Sequence, residues 1–255
     1  RTRPAVVPWP LQLPFRLYIG LRKPRQPILG MELSGVVAAT GGAVRKFEVG
    51  DAVLASRPFT LGGYAQYICV PADAPNVKRG LIARKPTNMS FEEAAAGLAT
   101  GGITALSMLR KASIEPGKKA LIYGASGSVG VFAVQLAKHF GAAVTGVCSG
   151  RNFDLVRSLG ADSVLDYTQP EFAACAETFD VVFDAVGKLR RAAAKRLCGP
   201  NGRRLSVASD VGPVARMTAD ELNFLTGLVE QGKLRTFIDR QYALNDIREA
   251  HPYVG

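Results

Sequence analysis

The sequence predicts an α/β protein in which a doubly wound parallel sheet is joined to a smaller β-rich region. Three observations predict it. A glycine-rich turn links a short apolar strand to a helix in the middle of the chain. Strand and helix patterns alternate after that turn, whereas short β-rich runs without a helix signal precede residue 90. Alternating strands and helices favour a parallel sheet with right-handed crossovers.

The central unit is a strand over 120–123, a turn with the spacing GxxGxxG, and a helical pattern from Val131. A side chain at Gly124 or Gly127 would keep a pyrophosphate away from the backbone N–H groups, and one at Gly130 would push the helix off the sheet. The free N–H groups and the positive end of the helix then face an anion. This order of elements favours a dinucleotide site over a turn that serves only helix packing.

The strands and helices that follow the glycine-rich turn predict where a ligand binds along the edge of the sheet. Further strands are predicted over 144–148, 164–166, 180–184 and 204–208, and helices over 152–159, 170–176, 189–197 and 219–231. Ligands of such sheets bind at the carboxyl ends of the strands. The residues at those ends are Gly124, Ser149, Asp166-Tyr167, Val186-Gly187 and Ser209. Because the segment from Ser209 to Thr218 is short, the sheet is expected to lack its last strand.

The β-rich region surrounds this unit in sequence. An irregular, proline-rich start over 4–27 precedes apolar runs over 28–41, 50–54 and 62–70, which predict a small antiparallel barrel or sandwich. The S-x-x-E capping box at Ser90 begins the first helices. The last segment, 233–251, is predicted as strand, turn and short helix.

Composition describes a globular protein of 255 residues with 47% hydrophobic residues and a formal net charge of +11. Four cysteines without CxxC spacing, no signal peptide and no membrane-length apolar run predict a cytoplasmic protein. The charge favours solvated faces and attraction of an anionic cofactor, with nucleic acid or an anionic membrane as the alternative. Basic residues concentrate at Arg1, Arg3, Arg16, Arg22, Lys23 and Arg25, and at Lys188, Arg190, Arg191, Lys195, Arg196, Arg203 and Arg204.

Several longer stretches resemble the medium-chain dehydrogenase/reductase superfamily, and within it the zinc-independent quinone oxidoreductase branch. They are ILGMELSGVV, GDAVLASRPFTLGGYAQYICVP, KPTNMSFEEAAAGLATGGITAL, LIYGASGSVGVFAVQLAKHFGAAVTGVCSGRN, LGADSVLDY, FDVVFDAVG and LVEQGKLRTFIDRQYALNDIREAH. The resemblance implies a Rossmann-type NAD(P)-binding domain, 97–232, inserted into a β-rich GroES-like catalytic domain, 1–96 plus 233–255. It also implies that the GroES-like domain is incomplete and that the chain is truncated at both ends.

Zinc is not expected. Zinc-dependent relatives read GHE where this chain reads Gly30-Met31-Glu32, so the imidazole ligand is replaced by a thioether. The chain has two histidines, His139 and His251, and neither lies at metal-ligand spacing from a Cys or a carboxylate. The four clustered cysteines of a structural zinc lobe are missing as well.

NADPH is the expected cofactor. NAD sites place an acid at the end of the second strand, whereas this strand ends with Ser149, Gly150, Arg151 and Asn152. A guanidinium can form charge-assisted hydrogen bonds with a 2′-phosphate, although Arg151 could also be an ordinary exposed residue. By resemblance, a serine, a basic residue and a tyrosine surround that phosphate, which matches Ser149 and Tyr167.

The leading functional hypothesis is reduction of a quinone or an α,β-unsaturated carbonyl compound by NADPH. Tyr64 and Thr104 are candidate hydrogen-bond donors to the substrate oxygen; by resemblance Thr104 lies near the nicotinamide, and no catalytic acid is assigned. The predicted cofactor-binding residues are Thr104, Gly124, Ser126, Gly127, Ser128, Val129, Cys148, Ser149, Arg151, Asn152, Tyr167, Ala185 and Val186.

Three other hypotheses stay open. A zinc alcohol dehydrogenase would take its ligands from residues upstream of this sequence. A non-catalytic protein would bind NADPH without turnover. A basic-surface binder would depend on the arginine and lysine clusters, but the sequence lacks the aromatic modules that stack bases, and no nucleic-acid partner is expected. Whether the chain forms a homodimer is left open.

Overall fold

The computed structural model describes residues 26–210 and 212–254, so the proline-rich start predicted over 4–27 lies almost entirely outside the described residues. The β-rich part is a three-stranded antiparallel sheet in the order β1-β2-β3. Its strands are β1 (Glu32–Val36), β2 (Ala52–Ser56) and β3 (Leu81–Arg84). Glu32 is the register partner of Ser56, which places both side chains on the same face of the sheet.

The third predicted β-rich run, 62–70, forms bends instead of a strand. Two hydrogen bonds still attach it beside the start of β1, from the N–H of Gly63 to the Gly30 carbonyl and from that of Tyr64 to the Leu29 carbonyl. Gly62 has a φ of +102°, a conformation that interrupts an extended ladder. The expected barrel or sandwich is therefore a single open sheet within the described residues.

The larger part is the predicted parallel sheet, with five strands in the order β6-β5-β4-β7-β8. The strands are β4 (Lys119–Tyr123), β5 (Ala143–Cys148), β6 (Ser163–Asp166), β7 (Phe179–Asp184) and β8 (Cys198–Ser206). The strand order reverses at β4, which is where ligands bind in such sheets. In the part described between residues 207 and 218, a 3₁₀ turn at Gly212–Arg216 follows β8 and no further strand occurs.

Helices flank the parallel sheet, and one more helix follows near the end of the described residues. They are α1 (Phe91–Ala94), α2 (Ile103–Lys111), α3 (Gly130–His139), α4 (Phe153–Ser158), α5 (Pro170–Ala174), α6 (Arg191–Leu197), α7 (Ala219–Glu230) and α8 (Ile247–Val254). A π-helical turn, Leu98–Gly102, leads into α2. The predicted capping box is present at Ser90, whose hydroxyl accepts the Glu93 N–H while the Glu93 carboxylate accepts the Ser90 N–H.

Alternation along β4 divides the core between the two faces of the parallel sheet. Ala120 and Ile122 belong to the main core, which also contains Phe132 of α3 and Leu54 of β2. Leu121 belongs to a second, smaller core on the other face. The main core thus runs from the β-rich sheet into the parallel sheet, and the domain boundaries at 96/97 and 232/233 stay a prediction.

The C-terminal segment differs from its prediction. Residues 233–243 form no strand; they are followed by a 3₁₀ turn, Leu244–Asp246, and by α8. A strand needs a free sheet edge to pair with, and a local β pattern does not supply one. Across the described ranges, no helix has the length and apolarity of a membrane span.

Candidate functional site

The glycine-rich loop lies between β4 and α3, and its three glycines have different structural reasons. Gly124 has a φ of +80°, and a Cβ there would lie 2.6 Å from a methyl carbon of Val186. A Cβ at Gly130 would lie 2.0 Å from the Gly124 carbonyl oxygen. At Gly127 the nearest atom would be that same oxygen, at 3.3 Å. Packing therefore requires Gly124 and Gly130, whereas a Cβ at Gly127 would make a tight contact with that oxygen and an ordinary one, at 3.7 Å, with a Val186 methyl carbon.

The backbone N–H groups of the loop fall into two sets. Gly124 and Ala125 both donate to the Val147 carbonyl at 2.9 and 3.0 Å, and Gly127 donates to the Gly124 carbonyl at 3.0 Å. The N–H groups of Ser126, Ser128 and Val129 make no hydrogen bond with any described residue. These three lie beside the N-terminus of α3, where the helix dipole attracts an anion.

The end of β5 is attached to this loop through Asn152. Its amide nitrogen donates to the Ser126 hydroxyl at 2.9 Å and lies 3.4 Å from the Ser149 hydroxyl. Arg151 is exposed and has no hydrogen bond or ion pair with the residues described. Cys148 is buried, and burial raises the pKa of its thiol to about 11. The predicted 2′-phosphate residues Ser149, Arg151 and Asn152 are therefore brought next to the glycine loop.

An acid that the sequence places at this edge, but to which the sequence analysis assigned no role, lies beside them. Asp166 ends the neighbouring strand β6, and its carboxylate accepts the Gly150 N–H at 2.7 Å and the Thr168 N–H at 2.8 Å. The Thr168 hydroxyl also donates to it, at 2.7 Å. Hydrogen bonds from Thr168 hold its pKa below the usual value. Only the pairing of β5 with β6 reveals this neighbour, because sixteen residues separate Asp166 from Gly150.

Tyr167 and the end of β7 complete the edge of the sheet. The Tyr167 ring is half-exposed and lies 6.0 Å from the Tyr123 ring, centroid to centroid. Ala185 is buried, and Val186 is exposed above Gly124. Asp184 carries no sequence motif that singles it out, yet its buried carboxylate accepts the backbone N–H groups of residues 186 to 189 and so shapes this loop.

The two candidate substrate-facing donors have different surroundings. Thr104 is buried in α2, and its hydroxyl donates to the Thr100 carbonyl at 2.7 Å. That hydroxyl proton is therefore engaged within the chain. Tyr64 is 39% exposed, and its ring makes an edge contact with His251 at 6.3 Å between centroids. Its assignment as a donor stays a prediction.

A partly buried carboxyl group, that of Glu32, lies where the β-rich sheet meets the helices. The carboxylate of Glu32 accepts the Thr100 N–H at 2.7 Å, and the Thr100 hydroxyl lies 2.9 Å from the hydroxyl of the fully buried Ser56. Burial raises the pKa of Glu32 to about 7, against hydrogen bonds from Thr100 and Ala99 that lower it. In the sequence, the sign of this site is a single acidic residue, Glu32, inside an apolar run.

Among the described residues, the side chains at the candidate positions do not form a set of zinc ligands. Met31 is half-exposed and offers only a thioether. His139 lies against the rings of Phe140 and Phe224, and His251 against Tyr64. Within ranges 26–210 and 212–254, no three His, Cys, Asp or Glu side chains come together as a metal site would require.

Family models match both ends of the chain. Residues 14–78 match the alcohol dehydrogenase GroES-like domain, and residues 159–255 match a family described as zinc-binding dehydrogenase.

Among curated proteins, the chain is 32% identical over 247 residues to 2-methylene-furan-3-one reductase of Solanum lycopersicum, covering 91% of this chain and 61% of that protein. It is 34% identical to the chloroplast envelope quinone oxidoreductase homolog of Arabidopsis thaliana, covering 86% of this chain and 73% of the relative. Quinone-oxidoreductase QR1, chloroplastic, of Triphysaria versicolor is 31% identical, with 94% and 81% covered. The chain thus spans less than two thirds of the first of these relatives.

Solved structures of known proteins have a similar fold. The quinone oxidoreductase from Coxiella burnetii superposes with a TM-score of 0.72 at 28% identity, covering 89% of this chain and 75% of that one. An NAD-dependent alcohol dehydrogenase superposes with a TM-score of 0.77 at 27% identity, covering 92% and 82%. The fold of the chain therefore has counterparts among solved oxidoreductase structures.

Proposed function

The chain belongs to the medium-chain dehydrogenase/reductase superfamily, in its quinone oxidoreductase-like branch, and from this premise we propose that it is an NADPH-dependent, zinc-independent reductase. The observation that carries the proposal is the glycine loop with three unpaired N–H groups, held by Asn152 against the end of β5. Bound NADPH would supply the hydride for reduction of the substrate.

The cofactor would be held at two places. The N–H groups of Ser126, Ser128 and Val129 would bind the pyrophosphate, because they are free and lie at the positive end of α3. At the end of β5, the side chains of Ser149 and Arg151 would bind the 2′-phosphate. Further contacts are assigned to Thr104, Gly124, Gly127, Cys148, Asn152, Tyr167, Ala185 and Val186.

The choice of NADPH over NADH rests on charge. The side chain of Arg151 is unpaired within the described chain, and β5 itself ends without an acid. Asp166 is the opposing charge, but its oxygens already accept three hydrogen bonds, from Gly150 and from Thr168. These hydrogen bonds stabilise the ionised form of Asp166, so the carboxylate stays charged and its oxygens are already engaged. The guanidinium is therefore the charge that is free to bind a phosphate.

Quinones and α,β-unsaturated carbonyl compounds are the proposed substrates, because several relatives carry names of that chemistry. "NADPH-dependent alkenal/one oxidoreductase, chloroplastic" of Arabidopsis thaliana is a further one, at 31% identity over 247 residues. Zinc independence is part of the proposal because Met31 offers only a thioether at the position where zinc-dependent relatives carry a histidine; hydrogen bonds would then stabilise the reduced oxygen. No residue is assigned as the proton donor.

The experiment is a fluorescence titration of the purified chain with NADPH and with NADH, followed by turnover with a soluble quinone and with an enone. Wild-type protein should bind NADPH more tightly and oxidise it in the presence of one of these substrates. The variant Arg151→Ala should weaken NADPH binding more than NADH binding. Arg84→Ala is its matched control, because Arg84 pairs with Asp51 beside the β-rich sheet and its loss changes the net charge by the same amount. Binding of neither cofactor by folded protein would refute the proposal.

A further inference from the structure

Glu32 is a partly buried acid that the proposed reaction does not use, and it connects the β-rich sheet to the π-helical turn before α2. It lies at the first position of β1, beside its register partner Ser56. Both side chains reach one residue, Thr100, in the π-helical turn before α2. Short π-helical segments are frequent at functional sites.

Thr100 is held by all three of its polar groups. Its N–H donates to Glu32, its hydroxyl pairs with Ser56, and its carbonyl accepts the Thr104 hydroxyl. Of these partners, Glu32 is the one that accepts the backbone N–H of Thr100. Its hydrogen bond therefore acts directly on the position of the backbone in the turn. Removing this acceptor would leave a donor without a partner at the junction.

The next residue, Gly101, touches the glycine-rich loop. A Cβ at Gly101 would lie 2.4 Å from the Ser128 carbonyl oxygen, so the two backbones are in direct contact. Gly97, at the start of the same turn, has a φ of +91° and lies against Phe132 of α3. The position of the turn therefore limits where Ser128 can lie, and its N–H is one of the proposed pyrophosphate donors.

We propose that Glu32 is a positioning residue for the cofactor: by accepting the Thr100 N–H, it holds the Leu98–Gly102 turn against Ser128 and so sets the affinity of the glycine-rich loop for NADPH. This inference rests on the proposed function. Within the described part of the chain, Glu32 has no hydrogen bond with the glycine-rich loop or with a residue assigned to the cofactor. Its link to Thr104 is indirect and passes through Thr100.

The test compares two substitutions of similar size. Glu32→Met keeps the side-chain length but removes the acceptor, whereas Glu32→Gln keeps an oxygen that can accept the Thr100 N–H. We expect Glu32→Met to raise the Kd for NADPH on the order of ten-fold, the equivalent of one charge-assisted hydrogen bond. Glu32→Gln should stay within about three-fold of wild type.

Ser34→Ala is the matched control. Ser34 lies two residues further along the same strand and donates to the Val53 carbonyl at 3.0 Å, without a contact to the turn. Its loss weakens the β-rich sheet but should leave the Kd for NADPH unchanged. A Kd raised equally by Ser34→Ala and Glu32→Met would assign the effect to general loosening and overturn the inference.

Hydrogen exchange of wild-type protein supplies a measurement that needs no variant. NADPH should slow amide exchange both at Leu98–Gly102 and at Glu32–Val36, because the two segments are coupled through Glu32. Unchanged exchange at Glu32–Val36 would overturn the inference. If wild type does not bind NADPH, the proposed function fails; if it binds and Glu32→Met binds equally well, only the role of Glu32 fails.

Discussion

Replacing Glu32 by Gln should stabilise the folded protein at high pH and leave its stability nearly unchanged at low pH. Burial raises the pKa of this carboxyl group from 4.5 to about 7 in the folded chain. The folded state therefore binds a proton that the unfolded state has released between these two values. The free energy of unfolding falls as pH rises through this window, because the native state binds more protons there.

The magnitude follows from the shift. A difference of about 2.5 pKa units at 1.36 kcal/mol per unit gives roughly 3 kcal/mol of destabilisation above pH 7. The amide of Glu32→Gln does not ionise, so this variant is not destabilised as the pH rises. The charged groups near Glu32 do not offset it: the helix packed on β1 adds two exposed acids, Glu92 and Glu93, and burial is the largest cause of the shift.

The assay is urea unfolding of wild type and Glu32→Gln at pH 5 and at pH 8. We expect the stability advantage of the variant to grow by about 2 to 3 kcal/mol between these pH values. Glu92→Gln is the control, since Glu92 is exposed and its pKa is lowered by hydrogen bonds at the start of α1. Its advantage should not grow with pH. An equal difference between Glu32→Gln and wild type at both pH values would refute the reasoning.

Four other outcomes are expected. Gly127→Ala should weaken NADPH binding at least about ten-fold with little change in the thermal midpoint of the apo protein, whereas Gly130→Ala should lower that midpoint sharply, because its Cβ would lie 2.0 Å from a carbonyl oxygen. Arg151→Ala should cost on the order of ten- to a hundred-fold in NADPH affinity and little in NADH affinity, and Ser149→Asp should reverse the preference; an unchanged ratio of the two Kd values would reject this assignment. Asp184→Ala should reduce stability by about 3 kcal/mol or more in urea unfolding, since four backbone N–H groups lose their acceptor. Chelator-treated protein should bind and turn over NADPH as before, and a loss restored by zinc would contradict zinc independence.

The features that the sequence predicted well have local physical causes. The strand, glycine loop and helix around Gly124 could be predicted because their order and the glycine spacing form a pattern within about twenty consecutive residues. The alternation of strands and helices predicted the parallel sheet for a similar reason. The structure adds a second reason for Gly124 that the sequence could not show: Val186, sixty-two residues later, fills the space above it.

The features that were missed depend on pairing between distant residues. Asp166 meets Gly150 only because β6 pairs with β5, and Glu32 meets Thr100 only because β1 packs against the turn before α2. The run over 62–70 has β-forming residues but no continuous sheet edge to pair with, so it forms bends. A sequence pattern reports what a segment favours, whereas its partner decides what it forms.

The glycine-rich loop is fixed from three sides before any cofactor binds. The Val147 carbonyl accepts two of its N–H groups, Asn152 bonds to Ser126, and the Gly101 backbone lies against Ser128. A preorganised loop loses little conformational freedom on binding, so more of each N–H contact with the pyrophosphate appears as affinity. Substitutions far from the cofactor can then weaken binding by releasing one side of the loop. For this reason the contrast between Glu32→Met and Glu32→Gln tests how the loop is held, and Gly127→Ala tests what it binds.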